Sequence, residues 1–110
     1  MPAPPSQQQQ QRDDSDRKLL TRVAAGDREA FRELYIAYHR RLARFLTRLT
    51  RRYDVAEEII NDALYVVWKR AGDFRGESRV STWIMGIAYR RALKTLTSRN
   101  QQQFVAAPID

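Results

Sequence analysis

Apolar side chains recur at three- and four-residue steps from Arg17 onward, the spacing of one buried face on an α-helix. Leu19, Leu20 and Val23 form a first short stripe, which Gly26 is placed to close as a C-terminal cap. Asp27 can cap a second, longer helix, with Glu29 in a first turn where the helix dipole favours acid. In it Phe31, Leu34, Tyr35, Tyr38, Leu42, Phe45, Leu46 and Leu49 repeat at the same steps. A third helix, capped by Asp54, would bury Ala56, Ile59, Ile60, Ala63, Leu64, Val67, Trp68 and Ala71. Residues 71–81, AGDFRGESRVS, read as a loop: Gly72 can end the third helix, and Gly76 permits a backbone closed to other residues. Ser81 or Thr82 then caps a fourth helix, from Trp83 to about Thr97, with Ile84, Ile87, Ala88, Ala92 and Leu96 inward. The pattern predicts an all-α fold, a compact bundle of about four helices.

The ends lack this periodicity. Residues 1–16, MPAPPSQQQQQRDDSD, are expected to be a disordered leader, and its glutamine run a solvated tail. Residues 17–99 form the helical domain, and residues 100–110 an unstructured tail or the start of an interdomain linker. A chain of 110 residues has room for one domain with one modest core.

Charge changes the picture more than composition does. A formal net charge of +7 and a pI near 10.4 suit a chain that meets nucleic acid or an anionic surface. There is no cysteine, so neither disulfides nor thiolate metal sites are available. No apolar run approaches the roughly 20 residues that span a bilayer, and the N-terminus has no signal-peptide core. A cytoplasmic protein without membrane insertion is expected.

The charges are also segregated. The third helix shows Glu57, Glu58, Asn61 and Asp62 on its polar side, with no base between Asp54 and Trp68. Taken alone, such a face belongs to a well-capped, solvated helix. From Lys69 to Arg99, by contrast, eight bases oppose two acids. Arg90 and Lys94 fall one turn apart on the fourth helix, with Arg91 beside them. The preceding loop offers polar donors (Ser78, Ser81, Thr82), cations (Arg75, Arg79) and the aromatics Phe74 and Trp83. Phosphate contacts from such a helix are salt-dependent and blind to sequence, whereas donors beside aromatic surface suit a single strand with free bases. Phe74 and Trp83 could equally be core anchors clamping the loop, and a basic helix could equally lie in a duplex major groove.

Other candidates carry less. Arg40, Arg41, Arg44, Arg48, Arg51 and Arg52 on the second helix are either a solvated face or a secondary anion-binding surface. His39 is the only histidine, adjoins the Tyr35–Tyr38–Leu42 stripe, and reads as a boundary residue rather than a metal ligand. Glu57 and Glu58 are adjacent, so on a helix they diverge by about 100° and cannot easily share a substrate. With no Gly-rich phosphate loop, no Ser-His-Asp set and no metal-ligand cluster, no enzymatic activity and no cofactor are expected.

Residues 17–99 resemble the second conserved region of bacterial sigma factors, in particular the extracytoplasmic-function group. DREAFRELYIAYHRRLARF resembles its opening helix, AEEIINDALYVVW its polymerase-binding helix, and DFRGESRVSTWIMGIAYRRAL its promoter-melting and recognition segment. The resemblance implies that Glu57, Glu58, Asn61 and Asp62 dock on the clamp coiled coil of the largest subunit of core RNA polymerase. Charge complementarity would orient and speed that encounter. It implies that the Phe74–Thr82 loop reads partly single-stranded promoter DNA at the minus-ten element, helping to melt it, while Arg90, Arg91 and Lys94 hold the upstream duplex edge. Trp83 matches the family's Thr-Trp pair.

Three departures stand out. Asn61-Asp62 replaces a longer Gln-Glu pair, Val80 stands where an aromatic is frequent, and Arg90 replaces a frequent Asn. Members of the group carry a second domain for the minus-thirty-five element, which has no counterpart here, so a fragment ending near Asn100 is expected. An anti-sigma factor is a possible partner. The competing expectation is a stand-alone helical regulator that binds duplex DNA through the fourth helix.

Overall fold

A computed structural model describes the backbone of residues 6–106 and the side chains of residues 6–99. It contains four α-helices, α1 (Gln7–Ala24), α2 (Arg28–Thr50), α3 (Tyr53–Arg70) and α4 (Val80–Ala106), with a 3-10 turn at Ala71–Asp73. No strand occurs among the described residues.

The periodic stripes become the core. Leu34, Tyr38, Leu42 and Leu46 of α2 face Ile59, Ile60, Ala63, Leu64 and Val67 of α3, and Ile84, Ala88 and Ala92 of α4 close the third side. Leu20 and Val23 join α1 to the same cluster. Leu96 is only partly buried, and Leu49 lies at the exposed end of the α2 stripe.

The turns follow local chemistry. Gly26 takes φ +90 after the Ala25 cap of α1, a conformation in which a Cβ is disfavoured. Asp27 then caps α2, accepting hydrogen bonds from the Glu29 and Ala30 N–H groups. α2 ends on Arg51 with φ 59, so a non-glycine residue occupies the left-handed region there. α3 starts two residues earlier than an Asp54 cap would dictate. Arg52 is its N-cap and makes no side-chain cap hydrogen bond, while Asp54 sits in the first turn and pairs with the Arg52 guanidinium at 3.0 Å. Gly72 falls inside the 3-10 turn, and Gly76 has φ +77.

Two boundaries differ from the pattern-based expectation. The helical part of the N-terminus does not begin at Arg17: α1 reaches back to Gln7, through residues expected in the leader, and residues 1–5 lie outside the described structure. A capping box between Ser6 and Gln9 satisfies the first turn, and Asp13 and Asp16 make tertiary contacts that hold the rest. At the other end, α4 begins at Val80 and its backbone stays helical to Ala106, through residues expected in the tail; residues 107–110 lie outside the described structure. Neither Ser81 nor Thr82 precedes α4, because its first residue is capped from α1, as described below.

Candidate functional site

The polar side of α3 emerges as expected, with Glu58, Asn61 and Asp62 exposed and Glu57 half-buried. Three of the four are engaged within the chain. Glu57 Oε1 lies 3.0 Å from His39 Nε2, and Asn61 Oδ1 accepts a hydrogen bond from the Tyr35 hydroxyl at 3.2 Å. Glu58 Oε2 accepts from Arg99 of α4 at 2.9 Å. Asp62 makes none of these contacts. His39 is thus a half-buried boundary residue, stacked on Tyr35 and facing a carboxylate.

Beside Asn61 runs an apolar groove of about 490 Å³ between α2 and α3, lined by Phe31, Tyr35, Leu64, Tyr65 and Trp68. Phe31 and Trp68 meet edge to face at 5.3 Å, and Lys69 reaches over the exposed Tyr65 ring. Trp68 was expected wholly inside; it is half-buried and forms the groove floor. The α3 pattern alone could not show this groove, because its other wall comes from α2.

The predicted DNA-facing residues do not share one concavity. Arg90, Arg91 and Lys94 gather with Trp83 in a groove of about 310 Å³ between α3 and α4. Arg79 and Ser81 line a different cleft, about 540 Å³, against α1 and α2. Arg75 lies in a third, beside Arg17 and Phe74. Thr82 is exposed, and Ser78 is half-buried with its hydroxyl bonded to the Arg79 carbonyl. Phe74 and Trp83 pack on each other at 5.4 Å, so part of each ring clamps the loop rather than facing solvent. Val80 is fully buried. Its side chain is core, and nothing can stack on it.

The structure adds residues that the sequence did not single out. Arg70 joins the α3–α4 groove, and Arg12 lines the cleft with Arg79, Ser81 and Arg41 of the α2 arginine set. Asp13 is the one buried charged side chain among the described residues. Burial raises its carboxyl, but hydrogen bonds from Arg17 and the Val80 N–H, with the charges of Arg17 and Arg79, leave it below the usual aspartate range. Asp16 goes the other way: burial outweighs its hydrogen bond from the Tyr38 hydroxyl and raises it. The Tyr38 phenol is pushed up by burial and by Asp16. Among the described residues no group of three or more His, Asp or Glu gathers as metal ligands, and no helix is long and apolar enough to cross a membrane.

Asn61 and Arg70 stand nine residues apart on α3, about two and a half turns at about 3.6 residues per turn. Asn61 therefore points away from the basic groove, whereas Asp62 stands one turn before Val66 of its lining and Glu58 reaches Arg99 of α4, so the carboxylate side runs up to the groove's edge. The loop of residues 74–79 lies at the surface, with Arg75, Glu77 and Arg79 exposed.

Comparison with known proteins gives the family. The chain is 33% identical over 96 residues to the ECF RNA polymerase sigma factor SigM of Mycobacterium tuberculosis, covering 87% of this chain and 48% of that protein. It is 32% identical over 88 residues to the ECF RNA polymerase sigma-E factor of Haemophilus influenzae, covering 80% and 46%. Against the RNA polymerase sigma-H factor of Pseudomonas aeruginosa the identity is 28% over 89 residues, covering 81% and 46%. The chain thus spans about half the length of the curated relatives it matches. No solved structure matches it significantly. The family described as Sigma-70 region 2 matches residues 34–102, more than half of the chain and all of α3 and the loop, and the protein belongs to that family.

Proposed function

We propose that this chain is the region 2 domain of an extracytoplasmic-function sigma factor, which docks on core RNA polymerase through α3 and recognises and helps melt the minus-ten promoter element through the 74–82 loop and α4. One observation carries the reading: a single helix presents carboxylates along one side and borders a basic groove along the next. A cationic partner and a polyanion can then be held at once, without competing for the same surface.

The internal pairs of Glu57 and Glu58 do not oppose docking. Glu58 is exposed, and an exposed ion pair is worth about 0–1 kcal/mol, so a cationic clamp can exchange for Arg99 at small cost; the half-buried Glu57 would have to leave its contact with His39. The groove beside Asn61 adds apolar contact area to that charged face. Asp62 is available without any exchange.

On the DNA side the work is binding, not bond chemistry. Unstacking a base costs a few kcal/mol, least at flexible steps such as TA. A loop that binds only the extruded base shifts the closed–open equilibrium by its differential affinity. Arg79, Ser81 and Thr82 stand at the loop's junction with α4, where such a base would be held. Arg90, Arg91, Lys94 and Arg70 supply the phosphate contacts of the duplex edge. An anti-sigma protein that covered either face would silence the domain.

Two measurements test this. In a pull-down with core RNA polymerase, Glu58→Lys and Asp62→Lys should each reduce retention at least tenfold, while single-strand DNA binding is kept. Replacing Ser78, Arg79 and Thr82 by Ala should weaken binding to single-stranded promoter oligonucleotides and leave polymerase retention intact. Retention unaffected by both lysines, together with a preference for duplex over single strand, would instead identify a stand-alone duplex-binding regulator.

A further inference from the structure

We infer that α1 is the positioning element of the 74–82 loop, with Asp13 and Arg17 setting the loop's shape before DNA arrives; the inference rests on the reading of that loop as the minus-ten reader. A chain of contacts joins segments some sixty residues apart. Asp13 Oδ1 accepts the N–H of Val80, the first residue of α4, at 2.7 Å. That N–H is one of the unpaired donors that open every helix, and it is ordinarily satisfied by a residue just before it. Here the cap comes from another helix. Asp13 Oδ2 meanwhile accepts from Arg17 Nε at 2.6 Å.

Arg17 carries the contact into the loop itself. Its Nη2 donates to the Ser78 carbonyl at 2.9 Å and to the Gly76 carbonyl at 3.3 Å. Its guanidinium lies over the Phe74 ring, 5.3 Å from the centroid. The approach is close enough that a Cβ on Gly76 would stand 2.8 Å from Arg17 Nη1, and Gly76 already has a φ of +77. Two side chains one turn apart on α1 therefore hold the loop at its start (Phe74), its middle (Gly76 and Ser78) and its end (Val80).

Geometry separates this role from DNA contact. Asp13 is 6% exposed and anionic, so it cannot touch a phosphate, and its influence on DNA must pass through the backbone it caps. Arg17, 39% exposed, commits Nε and Nη2 to a carboxylate and two carbonyls of the protein, and its Nη1 makes none of these bonds. A loop ordered in advance does not have to be ordered during association, which strengthens binding without any added contact.

The test uses the full chain and a single-stranded DNA selected from a random pool against the wild type, with random-sequence duplex as the comparison. Affinity is measured against salt for the wild type, Asp13→Asn, Arg17→Ala and Arg17→Lys, with circular dichroism as the check of folding. Arg17→Ala and Asp13→Asn should each weaken the selected single strand about tenfold by loss of pre-ordering, leave random duplex unchanged and keep the salt slope. Arg17→Lys should recover part of the loss, and amide exchange at residues 76–79 should quicken in Arg17→Ala. If Asp13→Asn does not fold, Arg17→Ala decides alone, since it leaves the Asp13 cap on Val80 in place. A salt slope shallower by about one in Arg17→Ala would make Arg17 a phosphate contact and overturn the inference. Equal affinities across folded variants would overturn it too, while the loop's role as reader stood. A pool that yields no single-strand binder to the wild type would remove the reader role, and the positioning role with it.

Discussion

Asp13 and Asp16 stand on neighbouring positions of the same helical face and are shifted in opposite directions, which makes the acid stability of the protein a difference between two groups. Asp13 is lowered in the folded state, so its contribution is present above the ordinary aspartate value of about 3.9 and is lost as pH falls through its lower folded value. Asp16 is raised, so its contribution is present below that ordinary value and is lost as pH rises through the higher folded one. Asp13→Asn removes the first and keeps most of the second, because burial is the main cause of the Asp16 shift and the Asp13 charge a lesser one. It should be less stable than wild type at neutral pH by about 1–3 kcal/mol, the range for a disrupted buried hydrogen-bonded group. The deficit should narrow on acidification, and denaturant midpoints measured from neutral to acid pH would show it. A gap that stayed constant would mean that Asp13 does not titrate with its partners as described. None of this was legible in the sequence. Asp13 sits in a Gln- and Asp-rich stretch with no apolar rhythm, and its partner is 67 positions away, so only the folded chain brings them together.

At the scale of elements, legibility followed burial. Every stripe repeated its apolar residues turn after turn, and each became a helix with most of those residues inside; Leu34, Leu42, Ile59, Ala63, Ile84 and Ala88 needed nothing beyond periodicity. Helix ends were harder, because a cap is one residue and can be replaced from a distance. Asp27 was a local cap and was readable; the caps of α3 and α4 were not, since Arg52 uses no side chain and Val80 borrows Asp13. The end of α2 carries its own prediction. Arg51 holds φ 59, where an L-residue is strained by about 1–2 kcal/mol relative to the right-handed region and glycine is not. Arg51→Gly should therefore be neutral or slightly stabilising. Arg51→Val, β-branched in the same conformation, should lie below it by about 1–2 kcal/mol or more. Thermal melts of the two variants give the comparison, and an equal or inverted ranking would mean that α2 ends in some other geometry.

At the scale of the whole molecule the question is whether the net charge of +7 acts as a diffuse field or through a built surface. Charge segregation along the sequence was visible, but its division into three separate concavities was not, because the loop's donors point to different neighbours according to how α1 and α3 wall it. The two possibilities differ in salt dependence. Each cation seated on a duplex phosphate contributes about 0.9 to the slope of log affinity against log salt, whereas a distant one contributes little. Arg90→Ala, Arg91→Ala and Lys94→Ala together remove three positive charges from the α3–α4 groove. Arg40→Ala, Arg44→Ala and Arg48→Ala remove the same charge from α2, where these arginines have no ion-pair partner among the described residues. If the groove holds the duplex edge, the first set should reduce the slope by about two to three and the second by much less than one. Equal reductions would show that DNA senses only the overall charge. A larger effect from the α2 set would move the phosphate path onto the second helix, past Arg41 and the cleft that Arg79 and Ser81 share with it.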